Sequence, residues 1–392
     1  MSRPPLLIVA RSARVLAAAA AVDFEPWVID LFGDVDTCGL AGRCWRARSA
    51  SGWNFEPAHL HALLGEVTAL APSLPVVIGS GFERAPALIE RLARCGPLLA
   101  SPARVYRRLA RPQALFTALS ARGAVLPLTS SAPPASPHGW LLKSAAASGG
   151  GHVRDAVGRI AALDDYFQER IPGTVYSTLC LATRGRIAIC GLARHVAPRA
   201  RDDYRYHGAV SVTAAPPWLD ALARSATAIA SELELVGAFG LDFVLRDGAT
   251  PVVVDINPRL TASLDVYADR AAIFAAHVAA CSDRPLAYSR PPSCRPRGHL
   301  VVYAARAWQV PRGFTWPDYT ADRPAAGQRV GSGDPLVTLV VEGEDEAAVE
   351  AELLACHDDL HRHTAAHGSA VLAPSLMLET VGGFHDVRTR TR

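Results

Sequence analysis

Residues 241–260 read LDFVLRDGATPVVVDINPRL and predict a β-hairpin that carries two carboxylates. Apolar runs on either side of an Asp-Gly pair have the composition of strands, and Asp-Gly is typical of a two-residue hairpin turn. Asp255, Asn257 and Arg259 are two residues apart, so they share one face while the strand continues. A tight turn then places Asp242 diagonally across from Asp255 on that face, about 7–8 Å away at Cα.

This hairpin has the side chains of a metal site. Two carboxylates and an amide oxygen that meet at a strand end suit Mg²⁺, or Mn²⁺, bridged to phosphate oxygens. Asp255 follows three valines, and an uncompensated carboxylate is costly in such apolar surroundings. We therefore expect Asp242, Asp255 and Asn257 to be metal ligands. The alternative is a structural hairpin whose acids are neutralised by neighbouring arginines.

The second informative feature is a lysine. Lysine and arginine together number 40, and Lys143 is the one lysine. Arginine can replace lysine at most surface sites, whereas a compact ammonium suits a phosphate beside a tight loop. Lys143 ends a strand-like run and is followed by Ser148 and by Gly149, Gly150 and Gly151, whose backbone N–H groups are open to an anion. The segment predicts a phosphate-binding flap; the alternatives are a chance surface lysine and a plain flexible loop.

Length and composition limit the class of protein. A chain of 392 residues that is 50% hydrophobic and 20% charged is globular and has two to three domains. A formal net charge of +3 indicates no nucleic-acid partner. The longest apolar run, 15–22, is too short to span a bilayer, so we expect no membrane association and a cytoplasmic location. The eight cysteines form no CxxC pair and are expected to be ordinary thiols, with neither a zinc cluster nor a disulfide framework.

Strands and helices alternate over the first hundred residues, which predicts a small parallel α/β unit. Loops after its strands carry Asp34, Asp36 and the segment 79–83, which either face a substrate or form ordinary turns. Further along we expect one helix over 104–122 and another beginning near 153. A run of four histidines in the tail is expected to be a solvated helix end rather than a metal site: His357, His361, His363 and His367.

In this order, the segments WLLKSAAASGGGHV (140–153), FQERIPGTVYS (167–177) and VVVDINPRL (252–260) resemble the ATP-grasp superfamily of carboxylate-activating ligases. The tail GQRVGSGDPLVTLVVEGED (327–345) resembles the branch of predicted ATP-dependent carboligases related to biotin carboxylase. The resemblance implies an α/β (α+β) ATP-grasp fold. It places a Rossmann-like pre-ATP-grasp domain at 1–100, the ATP-grasp domain at 101–290 with a nucleotide-flap subdomain at about 125–180, and a small biotin-carboxylase-like region at 291–392.

The resemblance also assigns roles to single residues. Lys143 and Arg259 would be catalytic, with Arg259 facing the γ-phosphate and the acyl phosphate, while Asp242, Asp255 and Asn257 would hold the metal. The residues expected to bind ATP are Arg111, Lys143, Ser148, Gly149, Gly150, Gly151, Gln168, Glu169 and Ile171. Independently of the resemblance, Arg194 and His195 lie in a polar stretch between strands and form a candidate clamp for a substrate carboxylate, or else a solvated loop.

The function that follows is an ATP- and Mg²⁺-dependent carboxylate-amine ligase that acts through an acyl phosphate. Its partners would be a small-molecule acid and amine, and a homodimer is an arrangement that such relatives adopt. The resemblance extends to addition of an amino acid such as glutamate in the biosynthesis of a one-carbon coenzyme of the tetrahydromethanopterin or methanofuran type. The alternatives are a biotin-carboxylase-like carboligase that uses bicarbonate and a non-catalytic ATP-binding regulator.

Overall fold

The computed structural model describes residues 3–50, 53–183, 186–198, 203–284, 288, 295–368, 371 and 376–377, and it begins with a parallel sheet. The strand order is β3-β2-β1-β6-β7, with every neighbouring pair parallel. The predicted parallel α/β unit is therefore present. Its elements are β1 (Pro5–Val9), α1 (Arg14–Ala20), β2 (Glu25–Asp30), α2 (Val35–Leu40), β3 (Arg43–Arg46), β4 (Ser49–Ala50), β5 (Asn54–Phe55), α3 (Pro57–Leu70), β6 (Val76–Ile78), α4 (Pro86–Cys95) and β7 (Leu98–Leu99).

The central strand β1 is buried on both faces. Leu7 and Val9 join the core cluster that includes α3, whereas Leu6 and Ile8 join the cluster that includes α1. A strand covered by helices on both sides is apolar at every position rather than at alternate positions, which explains its unbroken apolar sequence. The carboxyl ends of β2 and β6 lead into the loops that carry Asp34 and the 79–83 segment, respectively.

Two cysteines of this unit are not ordinary thiols. Cys38 of α2 and Cys44 of β3 form a disulfide, with their Cα atoms 5.3 Å apart. The expectation of free thiols is wrong at these positions because a short turn between helix and strand brings together residues that no CxxC spacing marks. Cys294 lies outside the described residues. The described free cysteines are Cys95, Cys180, Cys190, Cys281 and Cys356.

A small antiparallel sheet follows, with strand order β10-β9-β11-β8. The helix expected over 104–122 is divided before Pro112, because proline disfavours helical geometry at the preceding residue, Arg111. The helix expected near 153 is also wrong: residues 154–155 pair with β9 instead. The elements are α5 (Ala103–Leu109), α6 (Pro112–Ala121), β8 (Thr129–Ser130), β9 (Trp140–Ser144), β10 (Arg154–Asp155) and β11 (Asp165–Glu169).

The largest sheet has eight strands in the order β17-β16-β12-β13-β15-β18-β22-β20, with every neighbouring pair antiparallel. Strands from the tail continue it through the pairing of β15 with β18. Its elements and those packed on it are β12 (Thr174–Thr183), β13 (Arg186–His195), β14 (Ala197–Pro198), β15 (Gly208–Val212), α7 (Leu219–Leu233), β16 (Gly237–Arg246), β17 (Thr250–Asn257), a 3-10 helix (Ala262–Val266), α8 (Arg270–Cys281), β18 (Arg297–Tyr303), β19 (Trp308–Gln309), β20 (Thr320–Ala321), β21 (Arg329–Val330), β22 (Pro335–Glu342), α9 (Glu346–Ala365) and β23 (Leu376–Met377).

The hairpin of β16 and β17 has the predicted Asp-Gly turn, in which Asp247 and Gly248 both have positive φ. Its register differs from the expectation. A bulge at Val254 shifts the pairing by one residue, so Asp242 lies directly opposite Asp255 rather than diagonally from it. A bulge adds one residue to one strand, and the sequence pattern does not reveal it.

The run of tail histidines is only partly solvated. His361 and His367 are exposed as expected, whereas His357 on α9 is 3% exposed and contradicts the expectation at that position. The rings of His363 and His367 lie about Phe314, at centroid distances of 5.0 and 5.1 Å. Within the described residues, no three His, Cys, Asp or Glu side chains are grouped so as to hold a metal ion. None of the described helices has both the length and the apolar character needed to cross a bilayer.

Candidate functional site

A cavity of about 1200 Å³ lies where the parallel sheet, the small sheet and the large sheet meet. Most of the predicted site residues line it. These are Lys143, Ser148, Gly149, Gly150, Gln168, Glu169, Ile171, Arg194, His195, Asp242, Asp255, Asn257 and Arg259. Arg111 and Gly151 are exposed and lie outside this lining.

The paired carboxylates form the polar floor of the cavity. Asn257 lies two residues after Asp255 on β17, and its Nδ2 is 3.4 Å from Asp242 Oδ2 and 3.5 Å from Asp255 Oδ2. The pKa of Asp242 is raised to about 7, first by burial and then by the charge of Asp255. The two facing carboxylates offer the hard oxygen ligands that Mg²⁺ and Mn²⁺ prefer, while the Asn257 amide turns its Nδ2 toward them and its Oδ1 toward Arg259. Because the acids repel each other until a cation lies between them, the residues fit a divalent metal.

Lys143 lies against this carboxylate pair. Its residue is 6% exposed, and its Nζ donates to Gln168 Oε1 at 3.2 Å and to the carbonyl oxygen of Val254 at 3.1 Å. Burial by itself lowers the pKa of Lys143, but Tyr166, Asp255 and Asp242 together raise it above its ordinary value. The ammonium therefore stays charged beside the two carboxylates. The bulge at Val254 thus aligns the carboxylates and supplies a carbonyl that holds the lysine.

The glycine-rich flap closes on the loop before β15. Gly149 and Gly150 have φ values of +81° and +77°, and a Cβ on Gly150 would lie 1.8 Å from the carbonyl oxygen of Tyr204. The backbone N–H of Tyr206 donates to the Gly149 carbonyl at 3.1 Å. Glycine is therefore required at Gly150 both for the backbone angle and for the close approach.

Two polar side chains of the flap are buried without a partner in the described structure. These are the Oγ of Ser148 and the Nδ1 of His152, and both residues line the cavity. The pKa of His152 is lowered to about 4 by burial and then by the charge of Lys143, so the ring is neutral at neutral pH. Buried polar atoms normally have partners, so these two are available to a ligand.

The end of β11 and the residues after it form an apolar slot. Ile171 packs with Val244 and Val252, with Val254 beside them. Gln168 is 1% exposed and is bonded to Lys143, while Glu169 accepts from the backbone N–H of Leu128 at 3.1 Å. An apolar slot of this kind suits a planar base. Gln168 and Glu169 form the polar edge of the slot.

Arg259 is held in place by an acid that the sequence analysis did not single out as its partner. Its Nε donates to Glu83 Oε1 at 2.9 Å, and its Nη2 donates to Asn257 Oδ1 at 2.9 Å. Burial alone raises the pKa of Glu83, but Arg259 and Arg11 lower it below its ordinary value. Glu83 follows β6, so the position of its loop at a strand end was the available signal.

The two clamp candidates have different surroundings. Arg194 forms a largely buried ion pair with Glu350 of α9, so the guanidinium already has a carboxylate partner within the chain. His195 Nε2 has no hydrogen-bond partner in the described part of the chain and lies 3.8 Å from Asp242 Oδ1. Burial, followed by the charge of His299, lowers the pKa of His195 to about 4, so its ring is neutral near Asp242.

A further polar network crosses the cavity wall, and the sequence did not reveal it. Tyr206 and His299 share a hydrogen bond of 2.6 Å, and His299 Nδ1 is 3.5 Å from Asp265 Oδ2. Asp265 is also paired with Arg14 of α1, which bonds Asp322 at 3.0 Å. The network joins residues up to 308 positions apart, and this separation explains why no local motif shows it.

Comparison with known proteins identifies the fold. Residues 113–263 match the family model of the ATP-grasp domain. Three solved structures are similar over nearly the whole chain: N5-carboxyaminoimidazole ribonucleotide synthetase from Thermotoga maritima (13% identity, TM-score 0.63, 94% of this chain and 99% of that chain), biotin carboxylase from Campylobacter jejuni (12%, 0.64, 93% and 92%) and L-amino acid ligase from Bacillus licheniformis (12%, 0.61, 91% and 98%). At these identities the likeness establishes the fold. No curated protein is significantly similar to this chain.

Proposed function

We propose that this chain is an ATP- and Mg²⁺-dependent ligase that joins a carboxylic acid to an amine. The premise is that the chain carries an ATP-grasp domain in a fold related to that of biotin carboxylase. The observation that carries the proposal is the convergence of Lys143, Asp242 and Asp255 in one cavity. The charges of both carboxylates raise the pKa of the lysine, and its ammonium bonds the carbonyl of the residue before Asp255. A cation beside a carboxylate pair is an arrangement that holds a metal-bound polyphosphate.

Different residues of the chain contact different parts of the nucleotide. The apolar slot at Ile171 receives the adenine, and Lys143 holds phosphate oxygens. The flap, with Ser148 and the N–H groups of its glycines, covers the distal phosphates. Arg259, fixed by Glu83 and Asn257, faces the phosphoryl group that is transferred. Each contact positions the triphosphate or neutralises its charge, which is most of what phosphoryl transfer requires from a protein.

Asp242, Asp255 and Asn257 would hold Mg²⁺ or Mn²⁺. When bound, the metal supplies positive charge that neutralises phosphate oxygens and holds them in place. Before it binds, the two acids compete for a proton, as the raised pKa of Asp242 shows. This pair alone therefore gives the site a preference for a cation.

The chemistry then follows in two transfers. A carboxylate oxygen of the acid takes the γ-phosphoryl group of ATP, the bond to the β-phosphate oxygen breaks, and ADP leaves. The amine, after giving its extra proton to water, attacks the carbonyl carbon of the acyl phosphate through its nitrogen. The carbon–oxygen bond to phosphate breaks, and the departing phosphate takes up the proton that the nitrogen then loses. Water must be kept from the acyl phosphate between these steps, and the closed flap over residues 204–206 serves this purpose.

The substrates that we propose to test first are amino acids, with glutamate as the amine in the assembly of a one-carbon coenzyme of the tetrahydromethanopterin or methanofuran type. The sequence resemblance supports this choice, and an L-amino acid ligase is among the similar folds. Bicarbonate is the alternative acid, because carboxylases share the fold. The partners are in either case small molecules, and a homodimer remains a prediction for light scattering.

The test is substrate-dependent ADP release. Purified protein with Mg²⁺ and ATP is given amino acids and coenzyme precursors, singly and in pairs, and products are identified by mass spectrometry. Hydroxylamine is added in a parallel series, because it traps an acyl phosphate as a hydroxamate without a specific amine. Asp23→Asn, at an exposed acid far along the chain from the site residues, is the control.

We expect ADP release that needs an acid, a hydroxamate with hydroxylamine, and loss of both in Lys143→Met. ADP release that needs bicarbonate and no other acid would replace the ligase with the carboligase alternative. ATP binding with no release under any pair of substrates would favour the regulator. Because Lys143 is the one lysine in the sequence, a lysine-directed acylating reagent reports on it and on the N-terminus alone, and ATP should protect it.

A further inference from the structure

At one end of the large cavity, Asp34 and Asp322 line the wall beside Arg14 and Arg46. Asp34 is 3% exposed, and its Oδ2 has no hydrogen-bond partner among the described residues. Asp34 stands at the N-cap position of α2, where an aspartate usually accepts a helix N–H, but its side chain makes no such bond. The carboxylate is therefore buried, unpartnered and available to the cavity.

The neighbouring acids leave Asp34 without a counter-charge. Asp30 is fully buried, and only its Oδ1 is bonded, to the N–H of Gly33 at 2.8 Å. Asp36 is occupied by the backbone N–H groups of Asp322 and Arg323. Burial, followed by the charges of Asp322, Asp30 and Asp36, raises the pKa of Asp34 to about 9 despite the charge of Arg14, so the carboxyl group holds a proton at neutral pH until a cation binds beside it.

The two nearby guanidinium groups are already used. Arg14 is paired with Asp265 and Asp322, and Arg46 donates its Nε to the carbonyl of Leu31. Asp30 and Asp34 thus each keep one oxygen without a partner among the described residues, whereas Asp36, Asp265 and Asp322 are bonded within the chain. A bound cation would supply the missing charge and the missing donors together.

The surroundings favour an organic cation over a metal ion. The aromatic rings of Phe32 and Trp53, 5.0 Å apart, line the same cavity. A primary ammonium carries N–H donors for the carboxylate on one side and a carbon chain for the rings on the other.

We propose that Asp34 is the anchor of a subsite for a primary ammonium group, and that the amine substrate of this enzyme enters as an alkylammonium cation. The loop 31–36 and the segment 322–328 form the subsite together, joined by the bond from Val35 N–H to the Arg323 carbonyl at 2.9 Å. The role of the amine rests on the proposed ligase function, whereas the cation subsite itself does not.

The experiment uses the full chain and matched pairs of small probes. Propylamine, putrescine and phenethylamine are compared with 1-propanol, 1,4-butanediol and 2-phenylethanol by titration calorimetry. Each titration is run with and without Mg²⁺ and a non-hydrolysable ATP analogue. The variants are Asp34→Asn, which keeps the shape and removes the charge, and Asp322→Asn, since asparagine tolerates the φ of +56° at that position. Asp23→Asn, at an exposed acid of the same sheet unit, is the control.

We expect each amine to bind wild type about tenfold or more tightly than its alcohol, and Asp34→Asn to remove that preference. Asp322→Asn should weaken it about threefold, and Asp23→Asn should leave it unchanged. Equal binding of amines and alcohols to wild type would overturn the proposal, whatever the variants do. An undiminished preference in Asp34→Asn would overturn it as well.

The two proposals fail in different ways. If the ATP analogue binds and the amines show no preference that depends on Asp34, the subsite is wrong and the ligase proposal stands. If the amines bind through Asp34 and no nucleotide binds, the ligase proposal is wrong and the cation subsite stands. Circular dichroism will show whether Asp34→Asn folds. If it does not, the comparison of amines with alcohols and the Asp322→Asn variant still decide whether the cation subsite exists.

Discussion

Replacing Asp255 by asparagine should separate catalysis from stability. We expect Asp255→Asn to lower turnover by about a hundredfold or more, because the metal site loses one of its two carboxylates. We expect the metal-free variant to be as stable as wild type or slightly more stable. If the hairpin is purely structural, we expect the opposite result, because loss of a structural acid lowers the stability of the folded protein.

The expected gain in stability comes from Asp242. Its pKa is raised from 3.8 to about 7, with burial as the largest cause and Asp255 as the next. About three pKa units correspond to about 4 kcal/mol of free energy between the charged and neutral forms. Because the folded state holds this proton more tightly than the unfolded chain, the metal-free protein loses stability as the pH rises from about 4 to about 7.

Only part of that loss is recovered in the variant. Burial of Asp242 persists, and 29% of its side chain is open to the cavity, where water screens the remaining charge. Lys143 also loses its attraction to Asp255. We therefore expect a net gain of about 1 kcal/mol above the pKa of Asp242 and no gain well below it.

Denaturant unfolding at about pH 5 and about pH 8, with and without MgCl₂, measures these differences. Mg²⁺ should stabilise wild type at the higher pH and should have much less effect on the variant. A fall in unfolding free energy of more than about 2 kcal/mol, with turnover reduced only in proportion to the folded fraction, would refute the reasoning.

Three further substitutions test other parts of the site. Lys143→Met should weaken ATP binding about 10- to 100-fold by calorimetry, since charge-assisted hydrogen bonds contribute about 1.5–3 kcal/mol; unchanged affinity would place the nucleotide elsewhere. Gly150→Ala should raise the KM for ATP far more than Gly139→Ala, because the φ values are +77° and +78° but a Cβ meets backbone atoms only at Gly150; equal effects would show that backbone strain alone matters. Arg194→Met and Glu350→Gln should each lower stability by about 3 kcal/mol, and the double variant by clearly less than their sum; a raised KM for the acid with unchanged stability would instead make Arg194 a substrate clamp.

The sequence identified most of the residues that line one side of the cavity, because its signals are local. The hairpin with Asp255 and Asn257, the strand that ends near Lys143, and the glycines after it all lie in short segments. Their spacing and composition are dictated by strand geometry and by access of the backbone to an anion. Arg111, chosen by resemblance alone, is exposed at the start of α6 and does not line the cavity.

Contacts between distant segments could not be predicted in the same way. Glu83 meets Arg259 across 176 residues, and Arg194 meets Glu350 across 156. Neither pair has a periodicity or spacing that a single sequence can show, because ion pairs depend on which surfaces pack together. The disulfide joins Cys38 to a cysteine only six residues away, and the turn between them, rather than their spacing in the sequence, brings the two residues into bonding distance.

The sequence by itself indicated the order of segments, through their resemblance to the ATP-grasp superfamily, and the residue types at Lys143, Asp242 and Asp255 that line the cavity, since these signals lie in short segments with recognisable backbone geometry and side-chain chemistry. The tertiary structure decided the direct pairing of Asp242 with Asp255, because a one-residue bulge at Val254 changes which side chains face each other without changing the apolar pattern. It also decided that Asp34 lies buried beside Asp322, 288 residues further along the chain, where the packing of the tail against the first sheet concentrates negative charge.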